Sequence, residues 1–226
     1  MYIPKAYLEE EWPQIEYLIK NFPLATVITT SPEGEMIANH LPFYLKVDPE
    51  TGAKHLHAHM AKVNHQIPSL KESDNVLVIF QSSSSYITPS YYATKKETEK
   101  VVPTWDFASV HIYGKSKIID DFDFVRQQIT NLTDQEEKTR EKPWKITDAP
   151  ENYTRLKQKA IVGLQIEIGR TECKFKFEQG LKKSDVDGVI DGLASDELHG
   201  LSKLVVDSNQ RYDVKRAQKA SSWYLV

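Results

Sequence analysis

The sequence has almost no cysteine: Cys173 is the single thiol in 226 residues. One thiol closes no internal disulfide and excludes a multi-cysteine zinc site. Long apolar runs are missing too, and none approaches the ~20 residues that a helix needs to span a bilayer. The opening MYIPKAYLEEEW carries acids and a proline where a signal peptide would place its apolar segment. A positive excess is absent as well: 29 Lys and Arg stand against 32 Asp and Glu, a formal net charge of −3. That balance speaks against a protein built to coat nucleic acid. No G-x-G-x-x-G, Gly-rich P-loop or G-x-S-x-G occurs, which disfavours a Rossmann dinucleotide site and leaves no nucleophile motif. These absences predict a soluble protein of a reducing, cytoplasmic compartment, without a membrane partner.

What is present is the composition of a folded chain, 40% hydrophobic and 27% charged. Residues 6–20 place Tyr7, Leu8, Trp12, Ile15, Leu18 and Ile19 at helical spacing, stopped near Pro23. LATVITT (24–30) reads as a strand, Ser31-Pro32-Glu33-Gly34 as a turn, and 35–47 as a second strand interrupted by Pro42. After the turn 48–52, a third strand covers 54–60, a short helix 64–72 and a buried strand 76–81. One long strand, 107–119, follows, with Gly114 a candidate bulge. Then come an exposed helix (122–140), a second helix (151–160) and two strands (161–167 and 174–178). One or two helices follow over 184–193 and 196–206, and the tail is basic from Asp213, then aromatic at Trp223 and Tyr224. Many short strands with interposed helices predict a small antiparallel barrel with helical additions. The expectation is one domain over 1–226, with the barrel mainly in 24–120 plus 161–178 and the additions in 121–160 and 181–208.

Four stretches carry chemistry. In His55-Leu56-His57-Ala58-His59-Met60, a period of two puts three histidines on one face, with His40 on the preceding strand and His65 just beyond. Such a face is a solvated surface, a ligand contact or a metal site, and no neighbouring Asp, Glu or Cys completes a metal set. His59-Met60-Ala61-Lys62-Val63-Asn64 is a strand end whose backbone N–H groups and Lys62 suit an anion, though a surface lysine is the plainer reading. Tyr86-Ile87-Thr88-Pro89-Ser90-Tyr91-Tyr92 and Val102-Pro103-Thr104-Trp105-Asp106-Phe107 bring aromatics that stack on a planar ligand, pack at an interface or fill a core.

Taken together these stretches resemble the PaiB family, FMN-binding negative transcriptional regulators. The resemblance is carried by MYIPKAY, Ala38-Asn39-His40-Leu41-Pro42-Phe43, the His59 to Asn64 stretch and Phe80-Gln81 with Tyr86-Ile87-Thr88-Pro89-Ser90. Val102-Pro103-Thr104-Trp105 with Val110-His111 and Gly114 is the most specific block. Ala160-Ile161-Val162-Gly163 and Lys174 to Gln179 extend it, so that it covers about residues 1–195. The chain departs from the family at Ser82 to Ser85 (Gly-Pro-His-like), at Lys62 (Arg) and at His65 and Ile67 (Pro and Trp). It departs again at Glu178-Gln179-Gly180 (Ser-Gln-Asn).

The resemblance implies a split β-barrel like those of flavin reductases and pyridoxamine-phosphate oxidases, and a homodimer holding FMN between subunits. It implies that His59, Lys62 and the backbone near Ala61, with Asn64, hold the phosphate. Asn39, His40 and Leu41 would line the isoalloxazine edge, and Gln81, Tyr86 and Trp105 would wall the ring. The expected function is that of an FMN-binding flavoprotein, either an FMN-dependent oxidoreductase or a transcription-related regulator without its own DNA reader. Sequence names no catalytic acid or base, and no metal ligand is assigned. The alternatives are a haem- or metal-binding split barrel and a ligand-sensing regulator without turnover.

Overall fold

The computed structural model describes residues 1–71 and 73–222, with side chains given to residue 218. Trp223 and Tyr224, the aromatic end of the tail, lie outside the described residues. The chain divides into two compact units, each assembled from separated stretches. One comprises Trp12–Phe80 and Val110–Glu172; the other comprises Met1–Glu11, Gln81–Ser109 and the described residues from Cys173 onward.

The first unit holds a sheet of order β3-β2-β6-β8-β9-β5-β4. The strands are β2 (Leu24–Thr30), β3 (Met36–Pro42), β4 (Tyr44–Val47), β5 (Lys54–Ala61), β6 (Val76–Gln81), β8 (Thr104–Ile119) and β9 (Ile161–Lys176), of which β8 contributes its part from Val110 and β9 its part to Glu172 to this unit. Strands β2 and β6 occupy the positions their β-branched residues predict. The turns behave as their residues dictate: Gly34 and Gly52 take φ of 90° and 70°. Ser31 Oγ accepts from the Glu33 and Glu35 N–H groups, and Asp48 Oδ1 from those of Glu50 and Thr51. Alternation on β5 buries Leu56, Ala58 and Met60, and on β2 it buries Ala25, Val27 and Thr29.

Helix α1 (Trp12–Asn21) buries Ile15, Leu18 and Ile19. It starts later than the periodicity predicts, because Pro13 is tolerated only in a first helical turn. Tyr7 closes a 3-10 turn, and Leu8 begins β1 (Leu8–Glu9), which pairs with β9. The short helix α2 (Ile67–Leu70) follows β5. Helix α4 (Phe122–Glu137) is not simply exposed: it buries Val125 and Gln128. It comes so close to β9 that a Cβ on Gly163 would meet the Phe124 ring at 2.4 Å. Helix α5 (Glu151–Gln158) precedes β9. The two late strands of the sequence reading are one continuous β9. Its middle is braced by Arg170 stacked 3.7 Å over the Tyr113 ring of β8. Gly114 permits a close approach, since a Cβ there would stand 2.2 Å from the Glu167 carbonyl oxygen.

In the second unit, β1 pairs with the end of β9, and β7 (Ser85–Ile87) pairs with the start of β8. This unit also contains α3 (Lys95–Thr98) and two late helices, α6 (Lys183–Ser195) and α7 (His199–Ser222). The basic tail thus continues α7 through Ser222. Among the described residues no helix is long and apolar enough to cross a membrane.

Candidate functional site

The loop between β5 and α2 gathers four of the ten residues singled out for binding. Strand β5 pairs with β9 as far as Ala61 opposite Ile161, and the Lys62 N–H continues to the Ala160 carbonyl at 2.9 Å. The chain then turns, with the Asn64 N–H donating to the Ala61 carbonyl at 2.9 Å. Gln66 pins the turn from beneath and is wholly buried. Its side-chain amide donates to Val27 O, Thr29 Oγ1 and Ile37 O at 3.1, 3.0 and 3.1 Å. Its Oε1 accepts from Asn39 Nδ2 at 2.9 Å, and its backbone N–H donates to Asn64 Oδ1 at 2.9 Å. Asn39, Ala61, Lys62 and Asn64 therefore share one hydrogen-bonded frame, fixed to β2 and β3.

Above that frame Lys62, Val63 and His65 are exposed. Lys62 Nζ pairs with Asp120 Oδ1 at 2.7 Å, and both side chains are largely open to solvent. Asp120 lies between the end of β8 and α4. Its neighbour Asp121 caps α4 by accepting the Phe124 N–H at 2.7 Å, which leaves Asp120 for the lysine. Sequence reasoning missed Gln66 and Asp120. The Asp-Asp pair before a helix was a readable capping signal, whereas nothing local marks Gln66.

The histidine face is covered rather than open. His57 lies 4.9 Å from the Phe124 ring. Burial first, then the charges of His55 and Lys46, hold its imidazole down at about 4, against a hydrogen bond with Gln165 that pulls the other way. Gln128 Oε1 accepts from His59 Nδ1 at 2.7 Å, so Nδ1 carries the proton. His59 thus belongs to the layer between β5 and α4. Among the described residues no group of three or more His, Cys, Asp or Glu side chains is placed to hold a metal ion.

The other sequence candidates divide. Pleating sets Asn39 and Leu41 on one side of β3 and the exposed His40 on the other. Gln81 ends β6 and is exposed. Tyr86 and Trp105 are directly opposed on β7 and β8, with ring centroids 6.3 Å apart, edge to face, and each about half exposed.

The donor set of the loop fits the phosphate of a mononucleotide. Lys62 offers an ammonium, Asn64 an amide and His65 an imidazole, on a backbone held in place before any ligand arrives. The carboxylate now facing Lys62 is a surface partner worth at most about 1 kcal/mol, which a dianion can displace.

Residues 1–170 match the protein family described as "Putative FMN-binding domain". An uncharacterized protein of Emericella nidulans is 34% identical over 95% of this chain and 100% of its own length. The protease synthase and sporulation protein PAI 2 of Bacillus subtilis is 29% identical over 87% of this chain and 91% of its own. Among solved structures, the FAD and heme binding protein from Mycobacterium smegmatis superposes with a TM-score of 0.57. It has 18% identity and covers 82% of this chain and 80% of its own. The architecture is accordingly the antiparallel split barrel with helical additions that the sequence predicts, and the family match supports a flavin as cofactor. The chain belongs to the PaiB-like family of FMN-binding domains.

Proposed function

We propose that this protein binds FMN, with the phosphate at the loop between β5 and α2. The observation that carries this is the Gln66 frame, which presents Lys62 and Asn64 on a backbone that needs no ordering. Lys62 supplies the charge-assisted contact, and Asn64 and His65 add donors. Asn39 and Leu41 lie on the side of β3 tied to the same frame and serve the ring edge, whereas His40, expected there with them, points to the opposite side of the strand. Gln81, Tyr86 and Trp105 belong to the other compact unit. The flavin supplies the redox chemistry, and the chain supplies binding and orientation. An FMN-dependent oxidoreductase is the reading we favour. Titration of the purified protein with FMN and with riboflavin tests it. FMN binding tighter by about tenfold or more supports a phosphate contact, and equal affinity contradicts it.

A transcription-related role would be indirect. The exposed positions of α4 carry Asp123, Asp134 and Glu136, and those of α6 carry Asp191 with the half-buried Asp187. These would meet DNA phosphates with repulsion, and the described residues offer no groove-reading element. Selection from randomised duplexes at ~150 mM salt is expected to return no enriched motif; one enriched motif at sub-micromolar affinity would favour the regulator. The haem alternative gains nothing from the histidine face, where His57 and His59 are occupied by α4.

A further inference from the structure

In the unit formed around the Thr104 end of β8 and the Lys176 end of β9, two carboxyl groups are buried against each other. Asp106 is 0% exposed and Glu178 6%. The Glu178 carboxyl faces Asp106, yet neither Asp106 oxygen has a hydrogen-bond donor. Lys176 stands 3.6 Å from Asp106 Oδ1, but its ammonium donates to Thr104 Oγ1 at 2.6 Å and to the Trp105 carbonyl at 2.7 Å. Tyr92 donates its hydroxyl to Glu178 Oε2 at 3.1 Å. Glu178 itself is held in the left-handed region at φ 63°.

Among the described residues the other elements add no second cation at this spot. From the N-terminal turn, Tyr7 feels both carboxylates, and from α7 it feels Tyr212. From α6, Asp185 acts on Tyr92. Asp185 is already engaged by the Thr94 N–H and hydroxyl, both at 2.9 Å. On β7 the residue opposite Asp106 is the uncharged Ser85.

An ionised carboxylate only accepts hydrogen bonds. Two of them facing each other cannot bond, and with Lys176 they would leave a net negative charge buried. One proton removes both difficulties: Asp106 becomes a donor to Glu178, and the Glu178 charge balances Lys176. We propose that Asp106 and Glu178 form one proton-binding site, which at neutral pH holds a single proton on Asp106 directed at Glu178.

Burial first, then the Glu178 charge, push the Asp106 carboxyl far above the ordinary carboxylate range, with Lys176 pulling the other way. The folded chain therefore keeps a proton that the unfolded chain releases above about pH 4. Stability falls as pH rises across that window, and the fall ends once folded Asp106 has also ionised. The site stands apart from the flavin reading and needs no ligand.

Infrared difference spectra of the full chain across an alkaline titration test it, together with thermal midpoints from about pH 6 to about pH 9. The wild type should show a protonated carboxyl band at neutral pH that vanishes in alkali, and a midpoint that falls with rising pH and levels off as the band vanishes. Asp106→Asn keeps a donor toward Glu178 but cannot ionise; it should lose both the band and that part of the slope. Glu178→Gln removes the facing charge and should lower the titration of the band by at least about one pH unit. Absence of any carboxyl band at neutral pH in the wild type would overturn the proposal. So would an unchanged slope in Asp106→Asn, or, should that variant not fold, an unmoved titration in Glu178→Gln.

Discussion

Gln66 has no charge and no reactive group, yet its amide joins β2, β3 and the loop that carries Lys62. Such residues escape a sequence reading because their partners are remote in the chain: Val27 and Asn39 lie 39 and 27 positions away. Lys62 and Asn64 were legible because charge and strand end are local features. The histidines were legible as one face of β5, but not the helix that covers that face, since α4 begins more than sixty residues later. Cys173 illustrates the opposite case, a reactive group made inert. Burial, then the Glu9 charge, push its thiol up to about 12. Thiol reagents are expected to leave the native protein unmodified at neutral pH and to label it fully in denaturant. Rapid stoichiometric labelling of the native chain would show that the thiol is accessible.

Among the elements, α6 is shaped by two glycines one turn apart. A Cβ on Gly188 would stand 2.1 Å from the Tyr91 carbonyl oxygen, and one on Gly192 2.3 Å from the Tyr91 ring. The segment 88–98 packs into that groove and is fastened at both ends. Asp196 accepts the Tyr91 hydroxyl, and Asp185 accepts the two Thr94 donors. Gly188→Ala forces backbone apart and should destabilise by about 1–3 kcal/mol. Gly200→Ala, with nothing within 4 Å of its added Cβ, should be neutral or stabilising by under about 1 kcal/mol. Thermal midpoints separate the two, and equal effects would contradict the groove. Element positions were read well where a pattern is self-contained, as in β2 and β6. They were read poorly where a partner decides. Strand β9 continues through Gly169 and Arg170 because β8 lies beside it, and β1 and β7 are too short to show any period and exist only by pairing.

For the whole molecule, one sheet face asks for a partner. On β2 and β3, Thr26 lies opposite His40 and Ile28 opposite Ala38; on β6, Ile79 and Leu77 continue the same two rows. Leu24 and Met36, at the ends of this face, are 62% and 84% exposed. A half-open face of Leu, Ile and Met side chains suits a second copy of the chain, as the family resemblance implies for a homodimer. Light scattering at micromolar concentration should give twice the chain mass of 26.0 kDa. Charging the face with Ile28→Lys should shift the protein toward monomer. A monomeric wild type would exclude the dimer.

On the proposed reading, the loop after β5 holds the FMN phosphate through Lys62. Fluorescence titration of wild type and Lys62→Ala with FMN and with riboflavin tests it most directly. Losing a charge-assisted contact costs about 1.5–3 kcal/mol. FMN should therefore weaken by roughly ten- to a hundred-fold, while riboflavin, which has no phosphate, should bind the two proteins alike. Equal losses for both ligands, or none for FMN, would show that Lys62 does not hold the phosphate.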